Sequence, residues 1–203
     1  MKFGKEDHDA VAAAIREAEK RTSSQIVCVL ARASSDYAHV PIIWASVAAL
    51  FAPWPLIELT LWSVQRIFLI QLAVFLVAAL LFALTPLRLA LVPGAFKRAH
   101  AHRAAIEQFV IRRVGRTKNR SGVLIFVSLA ERYARIIADD GIAEKVPSAE
   151  WQAAIAALTG QMCQGRIAAG LVAAIERCGT VLAAHAPPDG GGGNELPDRV
   201  YVM

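Results

Sequence analysis

The stretch VPIIWASVAALFAPWPLI at residues 40–57, followed by IFLIQLAVFLVAALLFALTPL at residues 67–87, decides how this chain is organised. Neither stretch carries a charged side chain, and at about 1.5 Å of rise per residue each can cross a hydrocarbon core about 30 Å thick. Trp44, Trp54 and Trp62 stand near the predicted helix ends, where tryptophan anchors membrane helices. We therefore expect a transmembrane hairpin. The alternative is an apolar core hairpin in a soluble protein, which would have to hide both helices.

The hairpin predicts four segments in the chain. Residues 40–92 form the hairpin, and residues 1–39 and 93–186 together have the size of one ordinary domain. Residues 187–203 begin with the run PPDGGGG and are predicted to be a linker and tail. We therefore expect one α/β domain that is split by a membrane insertion.

Positive charge lies mainly on one side of the hairpin. The loop 58–66 offers only Arg66, whereas the segment 97–120 contains eight basic residues: Lys97, Arg98, Arg103, Arg112, Arg113, Arg116, Lys118 and Arg120. Because cytoplasmic loops keep positive charge, both termini are expected in the cytoplasm. Lys97, Arg98 and Arg103 are the expected lipid contacts. No nucleic-acid motif accompanies the charge, so nucleic acid is not expected as a partner.

Three segments outside the hairpin are predicted to be strands. The run QIVCVLAR at residues 25–32 is rich in β-branched side chains but stands alone in its half of the chain. It must therefore pair with strands beyond the hairpin. The continuous apolar run at residues 121–129 is typical of a central strand, and residues 133–138 return as its antiparallel neighbour. Val200, Tyr201 and Val202 are predicted to add an edge strand.

Helices are predicted around these strands. The first covers residues 5–21, and residues 97–114 form a helix with an apolar face of Ile106, Phe109, Val110 and Val114. A helix at residues 149–158 is expected to end at Gly160, and the last helix covers residues 167–184. Three cysteines, Cys28, Cys163 and Cys178, form no C-x-x-C pair and are expected to be reduced, buried thiols.

Several motifs in this order resemble the TPM domain family, whose members include a thylakoid acid phosphatase. They are REAEKRTSSQIVCVLARASSDY at residues 16–37, SGVLIFVSLAERYARIIADDGI at residues 121–142, and the following helix with Trp151 and Ile155. The inserted hairpin and the closing NELPDRV at residues 194–200 resemble the family's bacterial membrane branch. The resemblance implies a central β-sheet with helices on both sides, a TPM-like α/β sandwich.

The resemblance also implies an acidic metal or phosphate site in the loop that follows the predicted strand at residues 133–138. Asp139, Asp140 and Glu144 are the acids at that place, and carboxylates suit Ca²⁺ or Mg²⁺. The alternative is that Asp140 and Gly141 form a turn and Asp139 caps the next segment. The family's glutamate falls on Ala143, and the acid that often opens the next helix falls on Ser148. Catalytic residues are not assigned.

Two functions remain open at this point. The first is a non-enzymatic, membrane-anchored TPM domain that binds a partner protein in assembly or maintenance of a membrane complex. The second is a divalent-metal-dependent phosphatase. The chain has no phosphate-binding P-loop, H-E-x-x-H zinc motif or G-x-S-x-G elbow, so the sequence favours the first.

Overall fold

A computed structural model describes residues 3–37, 39–84, 92–117, 119–188 and 196–203. The chain forms two compact units, an α/β unit made of residues 1–34 and 98–203 and a helical unit made of residues 35–97.

The α/β unit is built on four strands: β1 (Ile26–Ala31), β2 (Val123–Ser128), β3 (Tyr133–Ala138) and β4 (Val200–Val202). Their order in the sheet is β3-β2-β1-β4. β1 is parallel to both β2 and β4, whereas β2 and β3 are antiparallel. Every residue of β1 and β2 is buried, which explains their continuous apolar sequences. The predicted pairing of β1 with strands beyond the hairpin is confirmed.

Helices cover both faces of the sheet, as predicted. One face packs against α1 (Lys5–Glu19), α7 (Ser148–Met162) and α8 (Ile167–His185) through the larger core cluster, which includes Cys28, Ile125 and Ile175. The other face, with Val29 and Phe126, packs against α5 (Gly94–Ile111). A 3₁₀ turn (Val114–Arg116) follows α5, and the short α6 (Asp140–Ala143) follows β3.

The Thr-Ser-Ser-Gln motif before β1 joins distant parts of this unit. The Thr22 hydroxyl donates to the Ala186 carbonyl oxygen at 2.6 Å, which holds the end of α8. The Gln25 side-chain oxygen accepts from the Leu196 N–H at 3.0 Å, which holds the tail beside β1. The motif is therefore structural, and it fixes two chain segments that the sequence places far away.

The helical unit contains α2 (His39–Phe51), α3 (Pro53–Leu59) and α4 (Val64–Leu84), and α2 packs against α4. Proline cannot donate an N–H inside a helix, and α2 accordingly ends before Pro53, which begins α3. Residues 39–59 and 64–84 are each long and apolar enough to cross a membrane, and Ile167–His185 meets the same criterion. Residues 85–87 of the second predicted span and residues 189–193 of the predicted linker lie outside the described residues.

Three predictions about local structure are wrong. The predicted apolar face of α5 packs only in part: Phe109 and Val114 pack on the sheet side, whereas Ile106 and Val110 are exposed. The helix buries Ala101 and Ala105 instead, because small side chains allow it to approach the sheet closely. Gly160 does not end a helix, since α7 continues to Met162. Cys163 is exposed, while Cys28 and Cys178 are buried as predicted.

Candidate functional site

The predicted acidic site lies at the corner where β3 ends. Asp139 follows β3 and caps α6: its Oδ1 accepts from the Asp140 N–H at 2.8 Å. Its backbone N–H donates to the Gly122 carbonyl oxygen at 2.9 Å, which fixes the corner against the start of β2. Asp139 is therefore a buried helix cap, and the capping interpretation of this residue agrees with the structure.

Arg120 supplies positive charge to this corner. Its Nη2 lies 2.6 Å from Asp140 Oδ2 and 3.7 Å from Asp139 Oδ1. The backbone of Arg120 is in the left-handed region at φ 50°, and a Cβ on Gly141 would lie 2.6 Å from its carbonyl oxygen. Only glycine therefore fits at position 141, and the close approach of the two loops places the guanidinium next to both carboxylates.

The corner does not supply the ligands that a divalent cation needs. Glu144 is exposed, and no group of three or more His, Cys, Asp or Glu side chains is placed to hold a metal ion among the residues described. Asp139 Oδ2 is buried and, within the same residues, has no hydrogen-bond partner, but it is one oxygen. Calcium takes about six to eight oxygen ligands, and a guanidinium already compensates the charge here. Among the described residues, Asp139, Asp140 and Glu144 do not meet as a set of three ligands, and their binding of Ca²⁺ or Mg²⁺ stays a prediction.

A second polar group lies at the carboxyl ends of the parallel strands β1 and β2, where α/β sheets often bind ligands. Glu131 is 7% exposed; it accepts from the Ser34 N–H at 2.9 Å and from the hydroxyl of Ser128, the last residue of β2. Sequence reasoning missed this carboxylate because its partner Ser34 is 97 positions away. Glu131 fastens the chain where it leaves β1 for the helical unit.

An apolar groove lies beside β3, one of the two outer strands of the sheet. Its volume is about 640 Å³, and its lining consists mainly of apolar side chains: Leu129, Tyr133, Ala134, Met162 and Ile167, with Arg132, Thr159 and Cys163. The outer edge of a strand presents backbone donors and acceptors, so an edge next to an apolar groove can receive a peptide segment. No pattern in the sequence indicated this groove.

The residues predicted to contact lipid are distributed over the helices of the chain. Trp44 lies on α2, Trp54 on α3 and Trp62 between α3 and α4, and all three are exposed. Lys97, Arg98 and Arg103 lie on α5, and the two arginines are exposed. Their role in anchoring stays a prediction.

Burial in the α/β unit raises the pKa of two thiols and one carboxyl group. Burial raises the pKa of the Cys178 thiol to about 12 and raises the pKa of Cys28 further above its ordinary value. Both thiols are therefore protonated at neutral pH and are poor nucleophiles. Burial also raises the pKa of Glu19 to about 8.

Comparison with known proteins gives one family match and one similar solved structure. Residues 87–181 match the family model TPM_phosphatase, described as the TPM domain. The NMR structure of the BA42 protein from the psychrophilic bacterium Bizionia argentinensis is similar, with a TM-score of 0.63 at 22% identity, over 98% of this chain and 94% of that chain. This similarity shows the fold, and no curated protein matches the chain. The protein carries a TPM domain at residues 87–181.

Proposed function

We propose that this protein is a membrane-anchored TPM domain that binds a partner protein at the cytoplasmic face of a bacterial inner membrane. Its role would be non-enzymatic, in assembly or maintenance of a membrane complex. The observation that carries the proposal is the exposure of the helical unit. The most apolar 18-residue stretch of α4 has a mean hydropathy of 2.9, and none of it is buried. Of the most apolar 18-residue stretch within residues 39–59, 17% is buried. In water, such surface would be costly, whereas lipid removes the cost.

The sheet supports an arrangement with both soluble pieces on one side of the membrane. β1 precedes the helical unit and β2 follows it, and the two strands pair in parallel over six residue pairs. A chain that crosses a bilayer twice returns to the side where it started, so this pairing is compatible with two spans. The eight basic residues at 97–120 favour the cytoplasmic side.

The third apolar helix, α8, is not proposed as a span. It contributes Leu171, Ile175 and Leu182 to the core of the α/β unit, and its most apolar window is 39% buried. Its apolar sequence is explained by packing against the sheet and the neighbouring helices. Two spans are therefore proposed, at residues 39–59 and 64–84.

Membrane insertion is tested with the full-length protein. We expect it to remain with membranes after alkaline extraction, and we expect reporters fused to Met1 and Met203 both to report the cytoplasm. Leu76→Arg, in the middle of α4, should weaken insertion, since an arginine at a helix centre costs about 3 kcal/mol. Leu76→Ile is the matched control. Reporters in opposite compartments, or protein in the supernatant, would contradict the proposal.

The groove beside β3 supports binding of a partner protein, because apolar side chains line it and β3 is an outer strand. A photo-crosslinking residue at Thr159, which lines the groove, should capture a defined partner in membranes. The same residue at Ala13, exposed on α1, should not capture it. Equal capture at both positions would show that the groove is not the contact.

The unpartnered Oδ2 of Asp139 favours one other candidate, a metal-dependent phosphatase. The full-length protein in detergent distinguishes the two by thermal unfolding with and without Ca²⁺ or Mg²⁺. A metal-induced rise in melting temperature that is lost in Asp140→Ala, together with hydrolysis of a phosphomonoester, would support the phosphatase. Arg120 already pairs with these carboxylates, so we expect neither effect.

A further inference from the structure

Helix α5 presents large apolar side chains on its outer surface. Ile106 is 47% exposed, Val110 68% and Ile111 62%. In the α/β unit, the described residues with large exposed apolar side chains are these three together with Val202 and Met203 at the chain end. Exposed apolar surface in this unit is therefore concentrated on α5. Because these side chains do not pack in the core, the fold itself does not explain why they are apolar.

Basic residues surround the three apolar side chains. Arg103 is exposed one turn before Ile106, and Arg113 is exposed just after the end of α5. Glu107 is the one acidic residue in the sequence of α5. Arginines next to exposed isoleucine and valine are typical of helices that lie in the surface of an anionic bilayer.

We propose that the outer face of α5 docks on anionic lipid headgroups. Ile106, Val110 and Ile111 enter the boundary between headgroups and acyl chains, and Arg103 and Arg113 contact lipid phosphates. This inference rests on the proposed function, because the membrane span brings the domain near the bilayer. It adds a second contact, one that would set how the TPM domain is held at the surface.

The length of the connection allows this contact. Gly94, the first residue of α5, is ten residues after Leu84, the last residue of α4. Ten residues reach at most about 36 Å, and the 18 residues of α5 extend over about 27 Å. The end of the proposed span and the outer face of α5 can therefore both lie at the same membrane surface.

A second copy of the chain is a less suitable occupant. A twofold dimer would bring this face of α5 against the same face of a second copy, and with Arg103 and Arg113 against a single acid, Glu107, the face is net positive. Like charges at such an interface are unfavourable, whereas anionic lipid compensates them. Charge complementarity thus selects lipid over self-association.

The test uses full-length protein in vesicles, with exposed Cys163 replaced by serine. A polarity-sensitive fluorophore is placed at Val110→Cys on α5 or, as the control, at Glu176→Cys, exposed on α8. The vesicles are phosphatidylcholine alone or mixed with phosphatidylglycerol. We expect a blue-shifted emission at position 110, quenched by nitroxide-labelled lipid, in the mixed vesicles. We expect neither effect at position 176.

The contribution of the Arg103 charge to docking is tested with Arg103→Gln in the protein labelled at position 110. Its docking equilibrium constant, from the ratio of the two emission components, should fall about fivefold, since an arginine near an anionic surface contributes about 1 kcal/mol. Arg135→Gln, an exposed arginine on β3, should leave the constant unchanged.

The outcomes separate this inference from the proposed function. Protein that floats with vesicles but keeps a water-like emission at position 110 overturns lipid docking of α5 and leaves the anchor intact. Disulfide crosslinking between unlabelled Val110→Cys copies, formed with an added oxidant, would assign the face to self-association instead. Protein that does not float with vesicles overturns both.

Discussion

Raising the pH is predicted to weaken the α/β unit through Glu19. This half-buried residue ends α1, and its Oε1 accepts from the Ile26 N–H at 2.7 Å. Burial is the largest cause that raises its pKa, from 4.5 to about 8, and the Asp198 carboxyl in the tail raises it further. The hydrogen bond from Ile26 acts in the opposite direction. Folded protein therefore keeps this carboxyl protonated at neutral pH.

The direction of the effect follows from proton binding. Unfolded protein loses the Glu19 proton above a pH of about 4.5, whereas folded protein keeps it until about 8. The stability from the protonated carboxyl is therefore complete below about 4.5 and is lost as the pH rises to about 8. At about 1.4 kcal/mol per pKa unit the full loss would be about 5 kcal/mol; partial exposure screens the charge, so we expect about 2 kcal/mol.

Glu19→Gln isolates this effect, because glutamine cannot ionise but can still accept from the Ile26 N–H. Urea unfolding of the full-length protein in detergent, followed by near-ultraviolet circular dichroism, should give similar stabilities for both proteins at a pH of about 4.5. The variant should be about 2 kcal/mol more stable at a pH of about 9. Glu17→Gln, on the exposed side of the same helix, should follow the wild type. Parallel profiles for wild type and Glu19→Gln would refute the reasoning.

Three further predictions concern packing and buried polar groups, and each is measured by urea unfolding at neutral pH. Gly179→Ala should destabilise by about 1–3 kcal/mol, because the new Cβ would lie 2.7 Å from the Cβ of Ala18. Gly160→Ala, inside α7 with nothing within 4 Å, should instead stabilise by about 0.5–1 kcal/mol; equal effects would contradict the packing account. Glu131→Ala should cost about 2–3 kcal/mol, because it leaves two hydrogen-bond donors without their acceptor; a loss well under about 1 kcal/mol would contradict this. Asp139→Ala should lower the free energy of unfolding by about 1 kcal/mol, because it removes the cap of α6. An unchanged urea midpoint would contradict this capping role.

The sheet was predictable because its strands have strong local signals. A buried strand such as residues 26–31 must pair, and no other strand was predicted before residue 92, so pairing with strands beyond the hairpin followed; the structure shows that residues 123–128 are one partner. The antiparallel return of β3 and the addition of β4 were predicted in the same way. Each of these predictions needed only chain order, hydrophobicity and the requirement that buried backbone groups form hydrogen bonds.

The orientation of α5 was not predictable from the same signals. Its larger apolar residues, Ile106 and Val110, suggested the inward face, yet Ala101 and Ala105 face the sheet. A prediction from hydrophobic periodicity assigns the largest apolar side chains to the buried face, whereas close packing of a helix on a sheet can favour small side chains there. The left-handed backbone of Arg113, at φ 56°, then ends the helix, and Val114 is buried beyond it.

The candidate site was only partly predictable, for a related reason. Asp139 and Asp140 were found because they follow a strand, but the pairing with Arg120 depends on how two loops meet across Gly141. That approach is set by backbone geometry, and no spacing in the sequence encodes it. The missing information bears on the chemistry, since the guanidinium of Arg120 compensates the negative charge of the carboxylates.

The place of the insertion explains how the helical unit and the sheet can belong to one chain. Parallel strands such as β1 and β2 always need a long connection, so the segment between them is the part of the fold that best tolerates added length. The entropy cost of closing a loop grows only slowly with its length. Because six residue pairs join β1 to β2 and Glu131 holds the chain at Ser34, the sheet fixes both ends of the connection. Under the proposed function, the same connection that completes the sheet also attaches the domain to the membrane, and the domain is held at two chain positions.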